Sequence, residues 1–189
     1  MNQIHNLICS SRWWDRRVEH ELLPWGLDGV ELGDEVLEIG PGFGATTKLL
    51  AKRPIKLHVL ELDKDYCERL RYALGDDVTV VQGDATKLPF EDGRFSAAVC
   101  FTMLHHIPTA ELQDRAFAEV ARVLRPGGTF AGTDSAGTGL LFKLIHVGDT
   151  LNLIAPDQLP DRLERAGLAN ATVERGGRSM RFRARKPTT

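Results

Sequence analysis

Cysteine is scarce and unpatterned. Cys9, Cys67 and Cys100 are the only three in 189 residues, an odd number with no C-x-x-C spacing and no histidine cluster beside them. A disulfide framework and a zinc knuckle are therefore excluded as organising devices, no metal is expected, and a reducing, cytoplasmic setting fits best. Long apolar runs are missing too: none approaches the ~18 residues a membrane span requires. The first apolar residues, Ile4, Leu7, Ile8 and Cys9, are interrupted by His5 and Asn6 and followed by Arg12, so no secretory core is expected. Nor does one sign of charge dominate. Lys plus Arg number 24 against 26 Asp plus Glu, a formal −2, which gives nucleic acid no general electrostatic hold. Repeats, low-complexity tracts and interdomain linkers are absent as well. One domain over 1–189 is expected, and at this length a single core buries roughly 70% of the unfolded chain's surface.

What the chain does have is alternation. From Glu35 onward short β-prone runs interleave with helical ones, the pattern of a mostly parallel sheet wrapped by helices. Strands are expected near 35–39, 55–61, 78–82, 95–101 and 128–134, several apolar on both faces as central parallel strands are. Helices are expected near 44–53, 65–74 and 109–124, closed by Pro54, Gly75 and Pro126. Upstream, Ser10 or Ser11 would cap a helix carrying Trp14, Val18 and Leu22 on one stripe and stopping at Pro24. Downstream, a helix near 157–166 precedes two strand-like runs, 170–175 and 179–185, joined by Gly176-Gly177. In the last run Arg181, Arg183 and Arg185 form a cationic face, read here as the solvated side of an edge strand.

Glu38-Ile39-Gly40-Pro41-Gly42-Phe43-Gly44-Ala45 joins the first strand to the first helix. Glycines there allow a sharp turn and close approach of a ligand to backbone. Taken alone, Gly40-x-Gly42-x-x-Ala45 also satisfies the nicotinamide-cofactor fingerprint, and Glu61, about twenty residues on, suits any ribose-bearing cofactor. Two carboxylates tilt the choice. Glu38, just before the loop, would repel a pyrophosphate but suits a ligand carrying an ammonium and a sulfonium. Asp84, after the third strand, is placed to accept from an adenine amino group.

With VLEIGPGFGATTKLL (36–50), HVLELDKDYCERLR (58–71), VVQGDATKLPFEDGRFSAAVC (80–100), MLHHIP (103–108) and EVARVLRPGGTFAGTD (119–134) in order, the chain resembles the class I S-adenosylmethionine-dependent methyltransferases. Among them it is most similar to the small-molecule type grouped with ubiquinone- and menaquinone-biosynthesis enzymes. The resemblance covers roughly residues 30–185. It implies an α/β, Rossmann-like, doubly wound seven-stranded sheet of order 3-2-1-4-5-7-6 with strand 7 antiparallel. Residues 1–29 would form a helical lid on the 30–189 core. Carried over by position, it sets Gly40, Gly42 and Gly44 against the methionine moiety and ribose of S-adenosylmethionine, and Glu38 near its ammonium. Glu61 would take the ribose hydroxyls, Leu62 would cover one adenine face, Asp84 and Ala85 would meet the adenine edge, and Phe101 would help close the pocket floor. Asp63 or Asp65 reads instead as a helix cap.

Methyl transfer from a sulfonium is an in-line displacement in which alignment supplies much of the rate and a base is optional. Base candidates are His105 and His106, with His106 slightly favoured, then His146, Asp149 and Asp134. One of the paired histidines could equally pack or cap the helix near Thr109. Phe101-Thr102-Met103-Leu104 lacks the Asn/Asp-Pro-Pro-Tyr of the amino-methylating relatives, and Cys100, inside a strand, reads as core. Acceptor contacts are expected from Trp13, His146 and the Leu- and Ile-rich stretch 135–156, pointing to a small apolar or aromatic acceptor. Trp14 reads as core and Trp13, off its stripe, as lid. The competing readings are a cofactor-binding module without turnover and, less favoured, a nucleotide-linked dehydrogenase.

Overall fold

The computed structural model describes residues 7, 9–137 and 150–188. Seven strands, β1 (Glu35–Ile39), β2 (Lys56–Glu61), β3 (Val78–Gln82), β4 (Phe95–Phe101), β5 (Leu124–Ser135), β6 (Ala169–Gly176) and β7 (Ser179–Arg185), form one sheet in the order 3-2-1-4-5-7-6. β1 to β5 pair in parallel, while β7 runs antiparallel to both β5 and β6. The α/β, Rossmann-like fold implied by the sequence is therefore the fold of this chain.

Side chains alternate across the pleat and build two cores. Val36, Val59, Val99 and Ala131 face one layer with Val18, Leu22, Leu50 and Leu70. Leu37, Leu60, Cys100 and Phe130 face the other, with Phe117, Val120, Leu159 and Leu163. The first layer is supplied by α1 (Arg12–Arg17), α2 (Leu23–Gly26), α3 (Ala45–Leu50) and α4 (Lys64–Leu74), and the second by α5 (Ala110–Val123) and α6 (Leu159–Arg165). Phe117 and Phe130 are fully buried; each stabilises the fold by about 2–3 kcal/mol on burial alone.

Four expectations are corrected. The N-terminal helix, capped by Ser11, does not stop at Pro24. Val18–Leu22 forms a π-helical turn in which the Leu23 N–H donates to the Val18 carbonyl, and Pro24 then lies in the first turn of α2, where its missing N–H is not needed. The helix expected over 44–53 ends at Leu50; Lys52 and Arg53 turn ahead of Pro54, which disfavours helix in the residue before it. β7 is not an edge strand. The turn at Gly177, with φ +59°, sends β7 back between β5 and β6. Arg181 there pairs with Glu174 and Asp28 rather than guarding an edge. β5 also begins earlier than expected, at Leu124, by way of a register shift opposite Phe95–Ala97.

No helix among the described residues is long and apolar enough to cross a membrane. Among the same residues no group of three or more His, Cys, Asp or Glu is placed to hold a metal ion.

Candidate active site

The carboxyl ends of β1, β2 and β4 converge on the glycine loop. Gly40, Gly42 and Gly44 all have left-handed φ, +65°, +55° and +76°, and the three are needed for different reasons. A Cβ at Gly40 would overlap the Met103 side chain, and one at Gly44 would lie 2.5 Å from Leu70 Cδ2. A Cβ at Gly42 would meet nothing among the described residues within 4 Å. Packing thus excludes a side chain at two positions, whereas at Gly42 the space above the backbone is open, as a ligand's close approach requires.

Glu38 lies on β1 under α3 and is 1% exposed. One carboxylate oxygen, Oε1, accepts from the Thr46 hydroxyl; the other, Oε2, is buried without a geometric hydrogen bond among the described residues, as is Thr47 Oγ1. Burial pushes the Glu38 carboxyl up to about 7, the Thr46 bond and then the nearby Thr47 hydroxyl oppose that, and the charge of Glu61 adds to it. A buried carboxyl within range of the charge of Glu61, with one oxygen making no geometric hydrogen bond among the described residues, favours a cationic donor such as an ammonium and disfavours a pyrophosphate. The residues present therefore fit S-adenosylmethionine better than a dinucleotide.

Glu61, at the end of β2, ties its neighbourhood together: Oε2 accepts from the Gly42 N–H and Oε1 from the Asp63 N–H, both at 3.0 Å. Asp63 is the cap of α4, accepting from the Asp65 and Tyr66 N–H groups at 2.8 and 3.2 Å. Leu62 between them is 68% exposed, available to cover a flat ligand. Asp84 is exposed at the turn after β3, where its Oδ1 accepts from the Thr86 N–H at 2.8 Å, and Ala85 is half-buried against the core. Arg122 and Glu119 of α5 pin the rest of that link through Leu88 and Phe90. Phe101 is buried in the layer with Val18 and Leu22, and a Cβ at Gly26 would lie 3.0 Å from its ring. It therefore packs beneath α2. Phe43, within the glycine loop, packs on Tyr66 with ring centroids 5.0 Å apart; an isolated aromatic in a loop carries no periodicity by which sequence reasoning could have found this pair.

Past β4 the chain is bent by Thr102, a β-branched residue at φ +53° whose N–H donates to the Thr133 carbonyl at 2.7 Å. Such a conformation costs about 1–3 kcal/mol and persists where surrounding bonds enforce it. The bend leads into a short 3₁₀ turn, Leu104–His106. There His105 is buried and its Nδ1 meets Asp134 Oδ1 at the end of β5. His106 is half-buried, its ring 4.2 Å from that of His105. Neither histidine caps α5, because Thr109 Oγ1 does so by accepting from the Leu112 N–H. The pairing of two residues 29 positions apart carried no sequence signal beyond the placement of both at strand ends.

Trp13 is 62% exposed, whereas Trp14 packs against the core, as their spacing implied; Arg17 lies over both rings. His146 and Asp149 lie outside the described residues, as does most of 135–156. A cavity of about 260 Å³ between α2 and the β6–β7 hairpin includes none of the expected cofactor residues.

Comparison with known proteins places this geometry. A family model described as "Methyltransferase domain" matches residues 37–132, from β1 into β5. Fatty-acid O-methyltransferase of Mycolicibacterium smegmatis is 40% identical over 108 residues, 54% of this chain and 38% of the relative. Ribosomal RNA small subunit methyltransferase A of Cupriavidus pinatubonensis is 50% identical over 66 residues, 34% of this chain and 23% of the relative. The chain thus spans less than two fifths of the length of either curated relative. A crystal structure of a Pyrococcus horikoshii protein shares the fold with a TM-score of 0.79, over 94% of this chain and 93% of that one, at 20% identity. With the family match running over half the chain and through the glycine loop, Glu61 and Asp84, the chain belongs to the methyltransferase-domain family on the class I, Rossmann-like fold.

Proposed function

We propose that the chain is an S-adenosylmethionine-dependent methyltransferase for a small, apolar or aromatic organic acceptor, acting as one domain in which residues 1–29 cover the core. The observation that carries the reading is the buried Glu38 Oε2, which makes no geometric hydrogen bond among the described residues, beside an open Gly42. S-adenosylmethionine, when bound, supplies an electrophilic methyl group. Glu38 receives the cofactor ammonium, Gly40, Gly42 and Gly44 admit the methionine moiety and ribose, and Glu61 takes the ribose hydroxyls. Leu62 covers the adenine, Asp84 accepts from its amino group beside Ala85, and Phe101 backs the floor. His105, His106, Trp13 and His146 are the residues proposed to face the acceptor.

An apolar acceptor is supported by the fatty-acid relative and by the exposed Trp13. The ribosomal RNA relative favours a second reading, an RNA base; against it stand the formal charge of −2 and the lack of a base-gripping Asn/Asp-Pro-Pro-Tyr after β4. Calorimetric titration with S-adenosylmethionine, S-adenosylhomocysteine, NAD and NADP tests the cofactor, the first two being expected to bind and the last two not. Tight NAD binding with silence toward the methyl donor would sink the proposal. Transfer of labelled methyl into an organic extract rather than into total RNA is the expected result for the acceptor class.

A further inference from the structure

The cationic face of β7 carries one arginine that the fold answers and one that it does not. Arg181 is fully engaged: Nε and Nη2 donate to Glu174 Oε2 at 3.0 and 2.6 Å, while Nη1 donates to Asp28 Oδ2 at 3.1 Å and to the Trp25 carbonyl at 3.0 Å. Arg183 follows on the same face, because side chains alternate along a strand. Its Nε donates to the Thr172 hydroxyl at 3.3 Å, and among the described residues it makes no ion pair and its terminal nitrogens donate to no protein acceptor. A guanidinium stays charged in a protein at any working pH, so this positive charge depends on no titration.

Both arginines line the cavity between α2 and the β6–β7 hairpin, with Thr172, Val30 and Gly26 around them. Its volume of about 260 Å³ lies below the roughly 300–1,000 Å³ of sites for drug-sized ligands, so an occupant is small. Gly29, in the turn after α2, has φ +68°, and a Cβ there would stand 3.5 Å from Arg183 Nη1. Backbone thus passes beside the guanidinium with no side chain laid over it. Thr172 accepts from Arg183 and keeps its own hydroxyl proton to donate. The ionised side chains of the lining, Asp28 and Glu174 against Arg181 and Arg183, sum to zero. Arg181 is spent on the two carboxylates, so Arg183 can offset one further negative charge. A phosphate dianion would leave one charge unanswered beside Asp28 and Glu174, whereas a carboxylate matches the guanidinium in charge and in planar, forked geometry.

We propose that this cavity is a binding site for a small organic carboxylate. The carboxylate accepts from the terminal nitrogens of Arg183 and from the Thr172 hydroxyl, and a compact apolar body rests toward Val30 and Gly26. The lining includes none of the residues proposed for the methyl donor or its acceptor, so occupancy requires neither.

The test titrates the full ¹⁵N-labelled chain with benzoate, with benzamide as its uncharged counterpart and with inorganic phosphate, each with and without excess S-adenosylhomocysteine. Benzoate is expected to give saturable shifts at the Gly26, Gly29 and Thr172 amides and at Arg183 Nε–H, unchanged in midpoint by S-adenosylhomocysteine. Benzamide and phosphate should bind about tenfold more weakly or less. Arg183→Gln should weaken benzoate by about tenfold or more, and it should keep the wild-type Tm because the side chain is exposed and holds no carboxylate of the described residues. Absence of saturable shifts at these amides, displacement of benzoate by S-adenosylhomocysteine, or undiminished benzoate affinity in folded Arg183→Gln overturns the proposal. Phosphate or benzamide binding as tightly as benzoate overturns it equally, since the carboxylate is then not what is recognised. Failure of S-adenosylhomocysteine to bind falls on the methyltransferase reading alone and leaves this inference standing.

Discussion

Buried beneath α3, with one oxygen on Thr46 and the other making no geometric hydrogen bond among the described residues, Glu38 has its carboxyl pushed up to about 7, chiefly by burial, against the Thr46 and Thr47 hydroxyls and with the charge of Glu61 adding to it. The folded state therefore holds a proton that the unfolded chain, at the ordinary 4.5, releases. Glu38's contribution is complete below that unfolded value and is lost as pH rises through 7, to a limit of about 3 kcal/mol. The ligand-free wild type should lose more Tm between pH 5 and 8 than Glu38→Gln, by differential scanning calorimetry. A bound ammonium reverses the preference, so S-adenosylhomocysteine should raise Tm more at pH 8 than at pH 5. Equal slopes for the two proteins would mean that Glu38 ionises freely. Two residues along the next strand end, neighbouring carboxylates separate cleanly. Glu61→Ala should weaken cofactor binding by roughly 2–4 kcal/mol, through lost hydrogen bonds to the ribose. Asp63→Ala should cost about 1 kcal/mol of stability as a lost cap with affinity nearly kept; calorimetric and urea titrations that exchanged these phenotypes would reassign the two.

At the scale of elements the glycine loop makes the sharper contrast. Ala at 42 costs about 1–2 kcal/mol of left-handed strain but meets no atom of the described residues within 4 Å. Gly42→Ala should therefore fold, with a Tm only a few degrees lower, and fail to bind S-adenosylhomocysteine. Gly44→Ala adds displacement of Leu70 to the same strain and should lose distinctly more stability. Retained binding in Gly42→Ala would remove the ligand from this face of the loop. In the N-terminal helices, Trp13→Ala should change stability by less than about 0.5 kcal/mol, as exposed positions do, while lowering kcat/KM for the acceptor; full activity would make the segment ordinary cover. Much of this was legible beforehand. The ranges of β1, β3, β4 and β7, the Asp63 cap and the packing of Trp14 beside an exposed Trp13 follow from periodicity and turn chemistry. Passage of the helix through Pro24 does not, because a π turn is a response to local bonding that no residue type announces.

Across the whole molecule the amino ends of the strands are bound by one carboxylate. Glu35 of β1 accepts from His58 Nε2 at 2.9 Å, Lys56 Nζ at 3.3 Å, Arg94 Nε at 3.1 Å and Arg125 Nη2 at 3.3 Å, joining β1, β2, β5 and the approach to β4. Burial raises the Glu35 carboxyl, but Arg94 and Lys56 outweigh it and hold it below its usual range. Burial, then the Arg94 charge, holds the His58 imidazolium form down. Both shifts are depressions, so both contributions are present above the unfolded values of 6.5 for His58 and 4.5 for Glu35 and are lost as pH falls below these through the lower folded values. Glu38 works the opposite way over much of that window. The urea midpoint of Glu38→Gln should accordingly fall from pH 7 to 4 more steeply than that of the wild type. This counterweight was not legible in the sequence, which places Glu35 and Glu38 on the same short strand but says nothing of the cations or the empty space that each meets. The contact between Met103 and the bare backbone of Gly40 carries a further consequence. The loop proposed to receive the donor and the segment proposed to lead to the acceptor are fitted to each other through one missing Cβ, so the two halves of the proposed site are not interchangeable modules. A graft that replaces residues 102–108 to redirect substrate choice has to keep a slender, unbranched side chain at 103, or the new specificity arrives with a displaced donor.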